Sequence, residues 1–101
     1  MKLIVTAAAL ALAFSAGTAS ASQALAQKYS CLSCHQVDKK VVGPAFVDVA
    51  KKFKGNAKAQ DAVVGVIKNG SKGAWGAVPM PPAPQVPDAD AHAIAKWILS
   101  L

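Results

Sequence analysis

The sequence predicts an all-α domain of four short helices. Three observations predict it. Apolar residues recur at i, i+3, i+4 and i+7 in the middle and last parts of the chain. Glycine, proline and asparagine separate those stretches as helix stops and turns. No stretch alternates apolar and polar residues as a half-buried strand would, and no internal repeat is visible.

The elements follow in chain order. Met1-Lys2 is a short positive start, Leu3 to Phe14 an apolar run too short to span a bilayer comfortably, and Ser15 to Ala21 a small, polar stretch ending in Ala19-Ser20-Ala21. This is the pattern of a cleaved secretory signal peptide over residues 1–21, with Ser22 as the new N-terminus. An uncleaved anchor is the alternative. No later segment is apolar enough to cross a membrane, so residues 22–101 are expected as one exported, soluble, periplasmic domain, acting as a monomer.

Within that domain, Ala24, Leu25 and Tyr29 suit a short first helix. Gln36 to Val42 is polar and unpatterned and reads as loop, and Gly43-Pro44 as a turn. Phe46, Val49, Ala50 and Phe53 form the apolar stripe of a two-turn helix, with Asp48, Lys51 and Lys52 on its solvent side and Gly55 ending it. Asn56 is the expected N-cap of a third helix, whose stripe is Ala59, Val63, Val66 and Ile67 and whose stop is Lys68-Asn69-Gly70. Ser71 to Val86 is rich in proline and glycine and has no periodicity; so long a loop in so small a domain points to function. Ala91, Ile94, Ala95, Ile98 and Leu99 mark the last helix, with Asp88 and Asp90 suiting its positive N-terminal end.

A domain of this size has a marginal core and needs a staple. Cys31-Leu32-Ser33-Cys34-His35 supplies one. CxxCH is the pattern for covalent c-type haem attachment. Each thiol adds to one vinyl group of the porphyrin, so two sulfurs must reach one ring edge, and the adjacent histidine is carried under the iron. The alternatives are a Cys31–Cys34 disulfide, a redox-active dithiol, or half a zinc site. Zinc needs four ligands, and beyond these three residues only His92 or a carboxylate is left, at no recognisable spacing.

Met80 is the one methionine outside the leader, and it sits in Pro79-Met80-Pro81-Pro82. Prolines fix φ and stiffen the segment. A loop that already points a sulfur at iron would help a weak thioether bond, so Met80 is a candidate axial ligand; the alternative is a methionine filling a gap in the core. His92 is the rival ligand, but beside Ala91 and Ala93 it should point outward or sideways. Trp97 reads as packing. Trp75 has an indole N–H that needs a partner if buried; a haem propionate would serve, and core packing is the alternative.

Beyond the leader there are ten lysines, no arginine, five aspartates and no glutamate. The excess positive charge serves solubility or steers the chain toward redox partner proteins with acidic surfaces. Without arginine or aromatics interleaved with the lysines, nucleic acid is not an expected partner.

Five motifs then carry a resemblance: CLSCH at 31–35, VGPAF at 42–46, IKNGSKGAWG at 67–76, VPMPP at 78–82 and AKWILS at 95–100. The chain resembles a class I cytochrome c of the short bacterial c-551 type. The resemblance implies four short helices wrapped around one covalently attached haem c. It implies His35 as the proximal and Met80 as the distal iron ligand, the Pro44 carbonyl accepting from the other ring nitrogen of His35, and Trp75 donating to a propionate. Three positions depart from the pattern. Val66 stands where relatives often carry a basic residue, Ala83 where many have an amide (Gln85 is a nearby substitute), and Pro87 where a serine or threonine tends to cap the last helix. The expected function is single-electron transfer between respiratory partners. Two protein ligands would leave iron no open position, which argues against an enzyme. A haem protein with a labile Met80 acting on peroxide is the runner-up, and a disulfide-containing binding module a third reading.

Overall fold

The computed structural model describes residues 15–101, with side chains described from Ala21 onward. Residues 1–14, including the apolar run of the expected leader, lie outside the described residues. Four α-helices follow: α1 Ser15–Lys28, α2 Phe46–Lys52, α3 Ala59–Asn69 and α4 Asp88–Leu99. A single 3₁₀ turn, Cys31–Ser33, lies between α1 and α2. Among the described residues there is no strand, only two isolated bridges, His35 with Lys40 and Ser71 with Met80.

Helix α4 is the hub. Among the described residues, α1, α2 and α3 each pack on α4 and not on one another. Its Ala91, Ile94, Ala95, Trp97 and Ile98 are buried against Ala26, Phe46, Val63, Ile67 and Val86. Trp97 takes more of this core than Leu99, which is only half-buried because it lies at the edge of the stripe.

Three expectations shift by a few residues. Leu25 and Tyr29 turn inward as expected, but Ala24 is exposed, and Ser22 and Ala26 complete the i, i+3, i+4, i+7 row. Asn56 does not cap α3 directly. Its Oδ1 accepts from the Lys58 N–H at 2.8 Å, an Asx turn that leads into a helix beginning at Ala59. Val66 is half-buried, while Ala59, Val63 and Ile67 form the buried row of α3.

Pro87 is the N-cap of α4 and offers no side-chain acceptor. The junction is held from α3 instead. Lys68 Nζ donates to the Val86 carbonyl at 2.8 Å and pairs with Asp88 Oδ1 at 2.8 Å. The Lys68 ammonium holds the exposed Asp88 carboxyl below the usual carboxylate range. At the other end of the core, Tyr29 donates to Asp90 Oδ2 at 2.7 Å, tying the end of α1 to the first turn of α4. That bond to Asp90 holds the Tyr29 phenol above its ordinary pKa.

Candidate functional site

Between α1 and the CLSCH motif the chain turns sharply at Ser30, a left-handed residue with φ 63°. The turn Cys31–Ser33 follows, closed by the Cys34 and His35 N–H groups bonding to the Cys31 carbonyl at 3.3 and 3.1 Å. The Cys34 carbonyl then accepts from Val42 and Gly43, at 3.2 and 2.7 Å. Phe46 and Val47 N–H groups bond to the Gln36 and Val37 carbonyls. Residues 34–37 and 42–47 therefore clamp each other, and His35 sits inside the clamp.

Three groups fix the His35 ring. Pro44 O lies 2.8 Å from Nδ1. A carbonyl can only accept, so Nδ1 carries a proton, and in the neutral ring that leaves the lone pair on Nε2. The Phe46 ring stacks on the imidazole, with centroids 5.0 Å apart and planes 20° apart, and Trp97 meets Phe46 edge-on at 5.5 Å. Gly43 passes so close that an added Cβ would lie 2.5 Å from His35 Cε1, a distance no side chain tolerates. The imidazole is held by its neighbours on one side while Nε2 stays available.

The Met80 segment is built on the end of α3. Ser71 and Met80 exchange two backbone hydrogen bonds, at 3.0 and 2.8 Å, and the Ala83 N–H bonds to the Ile67 carbonyl at 2.9 Å. Gly70 lies beneath, with φ 81° and ψ −176°, and a Cβ there would lie 2.6 Å from the Met80 carbonyl oxygen. Met80 is half-buried and is not a member of the core, so it does not fill a core gap. An open cleft of about 450 Å³ runs between residues 69–72 and 79–82.

The other candidates separate cleanly. His92 is half-buried at the α3–α4 seam, with Nδ1 3.1 Å from Gln60 Nε2. Trp75 is 41% exposed, which removes core packing as its role. Its ring lies under Lys52 Nζ at 4.6 Å, and Lys52 also donates to the Ala74 carbonyl at 3.3 Å. Gln85 is exposed and makes no hydrogen bond among the described residues, so nothing shows it replacing the amide absent at Ala83.

The residues fit a haem better than the alternatives. Cys31 and Cys34 are half-buried, free thiols on one turn. Burial pushes the Cys31 thiol up, outweighing a backbone hydrogen bond that lowers it, whereas an attacking redox thiol needs a lowered pKa. Among the described residues no group of three or more His, Cys, Asp or Glu converges as a metal cage, which sets zinc aside.

A family model described as "Cytochrome C oxidase, cbb3-type, subunit III" matches residues 17–98. The chain is 52% identical over 86 residues to cytochrome c-552 of Nitrosomonas europaea, covering 85% of this chain and 84% of that one. The chain belongs to the class I cytochromes c of the c-551/c-552 type. Cytochrome c-551 of Allochromatium vinosum is 50% identical over 86 residues, covering 85% of this chain and 92% of the relative. The crystal structure of the wild-type Nitrosomonas europaea cytochrome c552 superposes with a TM-score of 0.77, covering 78% of this chain and 98% of that one at 52% identity. A class 1 cytochrome from Sideroxydans lithotrophicus ES-1 has a TM-score of 0.67 at 26% identity, covering 80% and 92%. The cytochrome is thus an electron carrier and not an enzyme, with one covalently attached haem c and the four-helix fold that wraps it. Among its described residues no helix is long and apolar enough to cross a membrane.

Sequence reasoning missed four supporting residues. Phe46 was legible as core but not as the ring stacked on His35. Gly43 and Gly70 read only as a turn and a helix stop, and Lys52 only as a solvent-facing charge. Each acts through a contact between segments, and no local pattern announces such a contact.

Proposed function

We propose that this cytochrome carries single electrons between exported redox proteins through a His35/Met80-ligated haem. One observation carries the reading: the His35 imidazole, adjacent to Cys34, has Nδ1 committed to Pro44 and Nε2 left free. When bound, the haem supplies an iron that gains and gives up one electron. Cys31 and Cys34 hold it as thioethers, and His35 coordinates through Nε2. The Pro44 carbonyl keeps the imidazole in the ligating tautomer and raises its basicity. Met80 is the second ligand. Its soft thioether favours reduced iron and raises the potential. Trp75 donates its indole N–H to a propionate.

The leader over residues 1–21 sends the chain to the periplasm, where the domain 22–101 works. The lysine excess steers it to partners with acidic docking surfaces. The exposed Val41, Val42 and Val78 give such a partner apolar contact.

A visible spectrum of the purified holoprotein tests the reading. The expected result is low-spin, six-coordinate haem with a methionine-to-iron charge-transfer band. High-spin iron would favour peroxide chemistry with a labile Met80, and no Soret band would remove the haem. Met80→Ala should abolish the band and lower both the potential and the unfolding midpoint, while His92→Ala leaves all three nearly unchanged. The opposite pattern would transfer the ligand role to His92.

A further inference from the structure

We propose that Lys52 is the residue that positions Trp75. The inference deepens the reading of Trp75 as a propionate donor and rests on it. Among the described residues, no backbone hydrogen bond beyond the Ser71–Met80 pair holds the loop that these two residues close. The one hydrogen bond reaching residues 72–79 comes from outside the loop, from Lys52 Nζ to the Ala74 carbonyl at 3.3 Å. The same ammonium lies 4.6 Å from the centre of the Trp75 ring. One cation on the last turn of α2 thus grips two consecutive loop residues.

Among the described residues, no other hydrogen bond or ring contact holds the Trp75 side chain. The ring is 41% exposed and outside the core, and Gly73 and Gly76 near it have φ of 77° and 119°, with open space where a Cβ would stand at either. A backbone of that kind is loose unless something anchors it. A cation over an exposed indole face weights the docked arrangement by about two- to fivefold. The electrostatics act in the same direction. Oxidised iron carries one more positive charge than reduced iron, so a cation at Trp75 disfavours the oxidised form and holds the potential up.

Lys51 provides the control. It is the neighbouring exposed lysine of α2, and among the described residues its ammonium has no hydrogen-bond or ion-pair partner. The experiment uses the intact holoprotein and compares Lys52→Met, Lys52→Arg and Lys51→Met, alone and with Trp75→Phe. Two quantities are read: the reduction potential and the exchange rate of the Trp75 indole N–H by NMR. Lys52→Met should lower the potential and speed indole exchange by about two- to fivefold. Lys52→Arg should restore both. Lys51→Met, which removes the same charge one residue away, should lower the potential less and leave indole exchange unchanged. In the Trp75→Phe background, Lys52→Met should lower the potential no more than Lys51→Met does. Equal potential shifts for the two lysines, with indole exchange unchanged in both, would overturn the proposal and leave only diffuse surface charge. An unchanged potential in Trp75→Phe alone would instead sink the donor reading, while the indole exchange rate still decides whether Lys52 holds the ring.

Discussion

Replacing Gly70 by alanine tests how Met80 is held. The backbone at this position has φ 81° and ψ −176°, a region that essentially only glycine occupies, so alanine costs about 1–3 kcal/mol before any contact is considered. The new Cβ would then stand 2.6 Å from the Met80 carbonyl oxygen and 3.0 Å from the Pro82 nitrogen. Ordinary contact begins near 3.4 Å, so the Met80 backbone must retreat by about 0.8 Å, the difference between 3.4 and 2.6 Å. That retreat stretches both Ser71–Met80 hydrogen bonds, each worth about 0.5–1.5 kcal/mol net. The two effects together come to about 2–6 kcal/mol, a large share of the 5–15 kcal/mol typical of a whole domain. Gly55→Ala is the internal comparison. Gly55 also has φ 81°, but nothing lies within 4 Å of an added Cβ, so only the backbone term of about 1–2 kcal/mol applies. Urea titration of both variants gives the stability difference, and the charge-transfer band reports the Met80 sulfur separately. Gly70→Ala should lose more stability than Gly55→Ala and should also weaken the band. If both variants lose the same stability and the band survives in each, the end of α3 does not hold Met80.

Three further outcomes are expected. Asp88 has a folded pKa below its unfolded value because of Lys68, so its stabilising pairing is complete above the ordinary carboxylate range and is lost as pH falls through the folded value. Asp88→Asn should therefore flatten the acid limb of a stability-versus-pH curve below about pH 4 and change nothing in the alkaline limb; an unchanged acid limb would mean the pair is too solvated to matter. Phe46→Leu removes the stack on His35 and the edge contact with Trp97, and should cost about 1–3 kcal/mol from the two aromatic contacts, measured as a shift in denaturation midpoint. Val66→Lys should raise the reduction potential if this half-buried face of α3 approaches a propionate, and potentiometry showing a fall would place that face elsewhere.

Much of this architecture was legible because it is local. The stripes of α2, α3 and α4 repeat at helical spacing, and each is bounded by a residue with a clear conformational preference. The haem motif is legible for the same reason, since five adjacent residues contain both thiols and the imidazole. In α1 Leu25 and Tyr29 were legible, but Ala24 and Ala26 are the same residue, and contact with α4 decides which of them turns inward. Lys51 and Lys52 are equivalent in a sequence pattern, and only the path of a loop 22 residues away separates them. The Ser71–Met80 pairing depends on how residues 72–79 fold back, which their glycines permit but do not specify.

The hub role of α4 has a consequence for the order in which the chain acquires structure. Since among the described residues α1, α2 and α3 pack on α4 and not on one another, the first three helices leaving the ribosome have no helix to pack on until residues 88–99 emerge. Vectorial synthesis gives this chain no stable N-terminal subassembly, in contrast to proteins whose early elements dock as they appear. Local contacts dominate within each helix, but the joins between them all span long stretches of sequence and close last. A chain of this topology completes its core only once its final helix is present.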